Sequence, residues 1–585
     1  MSDFRATVVR LLGAMRPDRP RVIGVVAAGV AGLGLTITVP VLLGSATDAA
    51  LRGDLVGMAR LLAVAGALSA GSWGCLVVQG RLIATVAQRL AYRLRERASA
   101  KLSRVPVGYL DTQPRGDLLS RATNDIENVA QTVQHITFRV VASLINAVGA
   151  LVVMLLISPL LSAVLLVTMP AAVLLTRVIG RRAQPGFDEQ WAATGQLSGQ
   201  VEQVYTGHEV VTAFGRHPEA GQDFAEHNER VRAASVRAEF TAGLIGPAVA
   251  FLGNINYLVV AVLGAVRVTA GALTIGDVQA FLHYVTQVNQ PVTTFGFLAG
   301  RIQSAIASAA RVFDLLDAEE QTPDPPRSPV RSTGAIEFRN VTFGYGEPLL
   351  RGLSITVQPG QMVAVVGPTG AGKSTLVNLL LRFYDPDSGT ILLDGTNTRT
   401  MSRDDLRSAI TVVPQDTWLF HGTIADNIGY GHPDADPAAI VTAARTVHAD
   451  HLIRTLPAGY DTVIDDSSLS TGERQLITLA RASLARSTVL VLDEATSSVD
   501  TRTEVLVQQA MTTLRRDRTT FVIAHRLSTI RSADLILVME DGAVVEQGTH
   551  ATLLAADGPY TRLYVAQFAL SQLNGKPAEQ PRPPR

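Results

Sequence analysis

The strongest constraint on this 585-residue chain is a set of long stretches without Asp, Glu, Lys or Arg in its first half. Residues 22–47, 61–80, 140–176, 241–266 and 278–300 are such runs. A helix of about 20 residues, rising about 1.5 Å per residue, crosses a hydrocarbon core of about 30 Å. Each run is therefore long enough to span a bilayer. The run 140–176 is too long for one span and is interrupted by Ser158-Pro159, so it reads as two spans joined by a tight turn. Six spans result. Composition agrees: charged residues make up 17% of the chain, against roughly 25% in soluble domains. A mean hydropathy of +0.23 fits a chain that is part membrane, part soluble.

Charge placement sets the expected topology. Five Arg up to Arg21 against two Asp favour a cytoplasmic N-terminus. The connections 48–60 and 267–277 are short, whereas 81–139 and 177–240 are long and Arg-rich and fall on the inside. Each long connection has room for two helices that run beyond the membrane and turn back. Six spans return the C-terminus to the cytoplasm. The start of the chain carries Arg5, Arg10, Arg16 and Arg19 without a cleavage pattern, so no secretory signal peptide is expected. The sixth run is unusual in carrying Gln279, His283, Tyr284, Thr286, Gln287, Asn289, Gln290, Thr293 and Thr294. Polar groups facing lipid are costly, so these side chains should face other helices or a watery cavity. A wall of a translocation path is favoured over interhelical hydrogen-bond glue.

Other classes drop out. Basic and acidic residues balance at 51 each, so nothing points to a nucleic-acid partner. The single cysteine, Cys75, excludes an intrachain disulfide and any thiolate zinc site.

The first domain is expected over 1–316. Residues 317–334 contain four prolines, several charges and no apolar period, the composition of a linker. From 335 to 570 short β-branched runs alternate with helical patterns, as in an α/β domain. The tail 571–585, rich in Pro, Gln and Arg, is expected to be disordered.

The α/β part carries the chemistry. A buried-strand pattern, Met362-Val-Ala-Val-Val366, leads into Gly367-Pro368-Thr369-Gly370-Ala371-Gly372-Lys373-Ser374, followed by Thr375. This fits G-x-x-x-x-G-K-[ST], whose backbone N–H groups curl round phosphates at a helix start. Lys373 would reach the β- and γ-phosphates and Ser374 would hold Mg²⁺. Lysine occurs otherwise only at Lys101 and Lys576, so its place in the motif is not casual. A second apolar strand delivers Asp493 and Glu494 at its tip, a Mg²⁺ ligand and a group to act on water. A third ends in His525, read as a γ-phosphate contact because ligands gather at the carboxyl ends of parallel strands.

With these motifs in order, residues 10–570 resemble a half-transporter of the exporter-type ABC (ATP-binding cassette) family. The resemblance implies a membrane all-α six-helix domain followed by an α/β P-loop cassette, with ATP and Mg²⁺ as cofactors. It implies that Tyr345 stacks on adenine and that Gln415 joins Asp493 and Ser374 as a metal contact. Ser470 and Gly472, in Leu469-Ser-Thr-Gly-Glu-Arg-Gln475, would face the ATP held by a partner cassette, with Asp500 in the loop following Glu494. His525 corresponds to the switch histidine. Residues 111–125 and the stretch around 207–214 resemble the two intracellular coupling segments.

This sequence departs from the family's usual Leu-Ser-Gly-Gly-Gln signature at Thr471 and Glu473. A branched side chain and a negative charge would weaken the ATP site this signature completes. One half of an asymmetric heterodimer is therefore favoured over a working homodimer with tolerated variation. The expected activity is ATP-driven export of a hydrophobic or amphipathic small molecule or lipid across a bacterial plasma membrane. Import of a lipidic substrate and an ATP-gated channel or regulator are the competing readings.

Overall fold

The computed structural model describes residues 2–327, 332–415, 417–464, 469–493, 501–524 and 527–566; within helices, the side chains of 2, 3, 136–141, 144, 289–300, 501, 502 and 528 are likewise left undescribed. The chain divides into two compact units. One comprises Met1–Val105 with Gln113–Glu319, the other Pro106–Thr112 with Glu320–Arg585.

The first unit is helical. Its uncharged runs lie on helices Arg19–Leu51, Leu55–Leu102, Asn124–Ile157, Pro159–Thr206, Ile245–Thr269 and Ile275–Asp317. Among the described residues, four helical stretches are long and apolar enough to cross a membrane: Arg16–Leu51, Leu55–Leu102, Pro159–Thr206 and His217–Thr269. Ile145–Ile157 adds a shorter apolar helix. The chain breaks at Ser158, whose extended backbone and hydroxyl, accepting from Leu161 N, start the next helix with Pro159 in its first turn. Leu55–Leu102 has 48 residues, about 72 Å at 1.5 Å per residue and more than twice the hydrocarbon thickness.

Glycine decides how closely two of these helices pack. A Cβ on Gly44 would stand 2.3 Å from the carbonyl oxygen of Gly276, and one on Gly276 would stand 2.1 Å from that of Gly44. Asp48 accepts from Gly276 N at 2.8 Å, tying the end of one helix to the start of the other. Beyond the apolar runs, Arg311 holds Asp125 through a two-pronged contact, with Nε to Oδ2 at 2.9 Å. Burial pushes the Asp125 carboxyl up, but hydrogen bonds from Arg311 and Ser308 outweigh it and hold it below the usual range.

The second unit is built on two sheets. The smaller is antiparallel, with β1 (Ile336–Gly344), β2 (Pro348–Val357), β4 (Ser388–Leu393) and β5 (Thr396–Asn397) in the order β2-β1-β4-β5. The larger uses β3 (Met362–Val366), β6 (Ile410–Val413), β9 (Val489–Asp493), β10 (Thr519–Ile523), β11 (Leu535–Glu540) and β12 (Ala543–Gly548). Its order is β12-β11-β3-β10-β9-β6, parallel except for the edge strand β12. A ribbon of β7 (Gly422–Thr423) and β8 (Val463–Ile464) completes the strands. All five residues of β3 are buried, as a parallel strand covered on both faces requires.

Strand alternation separates two cores. Ala364, Val366, Leu490, Leu492 and Val522 join the core that contains helix Thr471–Leu484. Their neighbours Val363, Val365, Val489, Val491 and Phe521 join the core shared with the antiparallel sheet and helix Lys373–Leu380. The stretch read as a linker is partly tied down. Arg403, itself buried, donates to the Thr322 carbonyl at 3.0 Å and to Asp324 at 2.6 Å.

Candidate functional site

The strands β6, β9, β10 and β3 run side by side and in one direction, so their carboxyl ends share one edge of the sheet. Ile523 at the end of β10 pairs with Val365 on one side and Asp493 on the other. That edge therefore presents Gln415 just after β6, Asp493 at the tip of β9, and the glycine loop after β3. Glu494, Asp500 and His525 lie outside the described residues.

The loop after β3 is shaped by what its glycines lack. A Cβ on Gly367 would stand 2.1 Å from the Met539 carbonyl oxygen, so only glycine lets the loop leave the sheet here. Gly372 has φ +94, a left-handed conformation, and a Cβ there would approach Leu350 Cδ2 to 2.7 Å. Gly372 is also the N-cap of helix Lys373–Leu380 and offers no side-chain cap. The first N–H groups of that helix keep their donors for an anion. Pro368, Thr369, Gly370 and Ser374 are exposed, while Ala371 and Thr375 are buried beneath them.

Lys373 is folded back over the loop. Its Nζ donates to the carbonyl oxygens of Gly367 and Pro368, both at 2.8 Å, and the residue is 9% exposed. Burial lowers the Lys373 pKa, partly opposed by the negative charge of Asp493. A buried cation beside exposed phosphate-sized backbone is suited to a polyphosphate. Ser374 and Gln415 are exposed and Asp493 is half-buried. A hydroxyl, an amide carbonyl and a carboxylate are the oxygen donors that a hard divalent cation takes, so the residues fit Mg²⁺.

Tyr345 stands against the helix that follows this loop as an exposed ring, 51% accessible. It meets Phe343 and Tyr384 edge-on, each at 5.0 Å between centroids, and its hydroxyl accepts from Asn378 Nδ2 at 3.1 Å. Tyr384 in turn donates to Asp111 Oδ2 at 2.6 Å, and a Cβ on Gly108 would stand 2.8 Å from its ring. Burial and the Asp111 carboxylate both push the Tyr384 hydroxyl pKa up. The aromatic platform thus connects to helix Val107–Thr112, which clusters with the second unit although it lies between two long helices in sequence. Sequence reasoning missed Tyr384 and Asn378, whose pairing with Tyr345 depends on the strand and helix meeting in space. The other proposed coupling stretch, around 207–214, forms the short helix His208–Ala213, with Val210 and Phe214 exposed.

The signature residues open helix Thr471–Leu484. Ser470 is its N-cap: its Oγ accepts from Glu473 N at 3.4 Å, and Glu473 Oε2 accepts from Ser470 N at 2.8 Å. This is a reciprocal capping box. Ser470 and Thr471 are exposed, Gly472 is buried and Glu473 is half-buried. Glu473 thus satisfies its own helix start while placing a negative charge there.

Known proteins match both parts. Residues 22–292 match the ABC transporter transmembrane region and 350–497 the ABC transporter domain. The chain is 44% identical to a fatty acid ABC transporter ATP-binding/permease protein of Mycobacterium tuberculosis, over 96% of each chain. It is 35% identical to an ATP-dependent lipid A-core flippase of Syntrophus aciditrophicus, over 96% of this chain and 94% of the relative. A solved bacterial Atm1-family ABC exporter with ATP bound superimposes with a TM-score of 0.76 at 29% identity, over 96% of this chain and 99% of that one.

Proposed function

This chain belongs to the ABC transporter family, as a half-transporter of the exporter class, and from that premise we propose how its residues divide the work. It is an ATP-hydrolysing transporter and a multi-pass protein of a bacterial membrane. In our reading, the N–H groups at 367–375 and Lys373 cradle the phosphates, and Tyr345 carries the adenine. Ser374, Gln415 and Asp493 would hold Mg²⁺, which neutralises phosphate charge when bound. Glu494 orients the attacking water and His525 contacts the γ-phosphate. Both termini face the cytoplasm, following the Arg-rich inner connections.

Ser470 and Gly472 serve the ATP of a second half-transporter, since one chain's loop and signature cannot close on the same nucleotide. The capping carboxylate of Glu473 makes that contribution poorer than the chain's own phosphate loop, and we assign the chain to an asymmetric heterodimer. The cargo is a lipidic or amphipathic acyl molecule moved outward. Two features support this: the nearly uncharged spans, and the relatives that act on fatty acid and lipid A.

The observation that carries the reading is the placing of the phosphate loop, Asp493 and Gln415 along one sheet edge. The test is ATP hydrolysis by the chain purified alone in lipid bilayers, with Glu494→Gln as blank. Activity near the blank that is restored by a second half-transporter is expected. Substantial activity of the chain alone, abolished by the substitution, would establish a working homodimer instead.

A further inference from the structure

His283 is the one residue in the five uncharged runs that can carry a positive charge. An ionisable group at membrane depth is costly, so its position calls for a function. It lies on helix Ile275–Asp317 at the wall of a cavity of about 630 Å³, within the roughly 300–1,000 Å³ range of small-molecule sites. Helices Arg19–Leu51 and Ile245–Thr269 supply the other walls.

The cavity has two chemically distinct parts. Leu43, Ala261, Ala265, Val268, Val278 and Leu282 make an apolar lining. The polar part gathers Gln279, His283 and Thr286, spaced at i, i+4 and i+7 along one helix face. Among the described residues, no Asp, Glu, Lys or Arg lines the cavity, and Tyr257 is the other titratable group there. The hydrogen-bond directions are biased. The Thr47 hydroxyl is shared between the Leu43 carbonyl at 3.0 Å and Gln279 Oε1 at 2.6 Å; the shorter contact holds the Gln279 oxygen and leaves its amide nitrogen to donate. Thr286 spends its hydroxyl hydrogen on the His283 carbonyl at 2.7 Å. The donors left to meet a ligand are thus the Gln279 N–H₂, the imidazole N–H and the Tyr257 hydroxyl. Such a site prefers an acceptor, and an anionic acceptor most, because hydrogen bonds to charged groups are the strong ones.

We propose that this cavity binds the head of a long-chain carboxylate, with the carboxylate on His283 and Gln279 and the acyl chain along the apolar wall. The proposal rests on the acyl-cargo reading above and deepens it by naming the recognising side chain. Tyr284, next in sequence, is excluded from this role because it is buried and its hydroxyl donates to the Ile37 carbonyl.

The test is equilibrium binding of radiolabelled palmitate, and separately of its methyl ester, to the full chain in nanodiscs of zwitterionic lipid. Palmitate should bind the unchanged chain at least about tenfold more tightly than the ester, the scale of one hydrogen bond to a charged group. His283→Ala should remove that preference, while Val26→Ala, at an exposed apolar position on helix Arg19–Leu51, should keep it. Fluorescent ATP-analogue binding serves as the folding control. If His283→Ala loses nucleotide binding too, His283→Gln replaces it and should retain binding of both ligands without the preference. Equal binding of acid and ester, or an unchanged preference in a folded His283 variant, would overturn the proposal. These readouts need no hydrolysis, so the site can fail while ATP-driven transport of another amphiphile stands, and the reverse.

Discussion

Two helix starts in the second unit face the same task and solve it differently. Helix Lys373–Leu380 begins at Gly372 without a side-chain cap, and its first N–H groups stay available. Helix Thr471–Leu484 begins at Ser470 with a closed capping box, in which the Ser470 and Glu473 N–H groups are met from within. Both helices direct a positive dipole end outward. An uncapped start is unstable by itself and gains most from an arriving anion. A start capped by Glu473 is stable alone and adds a negative charge that opposes one. On the function proposed above, the difference separates the end the chain keeps for its own nucleotide from the end it lends at reduced strength.

The largest break in this contrast should come from Lys373→Ala. With a second half-transporter completing the sites, phosphate release should fall by about 10²–10³-fold, the cost of removing one donor to a developing anion. Retained turnover would mean that the uncapped start is not the nucleotide site. Next in size is Gly372→Val, which forces a branched side chain into a left-handed conformation against Leu350. A loss of about 2 kcal/mol is expected, read as an earlier thermal transition and weaker nucleotide binding. The capped end should respond less. Ser470→Ala should cost its helix about 1 kcal/mol, visible as faster amide hydrogen exchange at Thr471–Glu473; unchanged exchange would dissolve the contrast. Smallest is Glu473→Gln, which keeps the capping geometry and removes the charge. Turnover at the site this end completes should rise about two- to fivefold, and no rise would show that the carboxylate is harmless there.

The phosphate loop was legible because each of its residues is needed locally. Glycine at 367 and 372 and lysine at 373 have few substitutes, and the strand before them is a plain apolar run. The charge-free runs were legible for a similar reason, since solvation acts on every residue of a span. What sequence reading could not separate were side chains of the same type with different partners. In the sixth run, Gln279 accepts from Thr47 and Tyr284 donates to Ile37, so both tie helices together, yet Gln279 also lines the cavity beside His283 and Thr286. Cavity lining and interhelical hydrogen bonds are therefore both present, divided residue by residue. Asn289, Gln290, Thr293 and Thr294 lie where side chains are outside the described residues. The signature departure at Glu473 read as a defect in sequence, but it also satisfies its own helix start.

The sequence by itself determined the order of the two units, the number of apolar runs and the identity of the phosphate loop. These depend on local solvation and on backbone conformations only glycine tolerates. The tertiary structure alone decided that Tyr345 leans on Tyr384, that Tyr384 reaches Asp111, and that His283 lines a cavity with Gln279 and Thr286. Those pairings join residues up to 273 positions apart. No local preference encodes such a pairing; it exists only once strand register and helix packing have placed both partners.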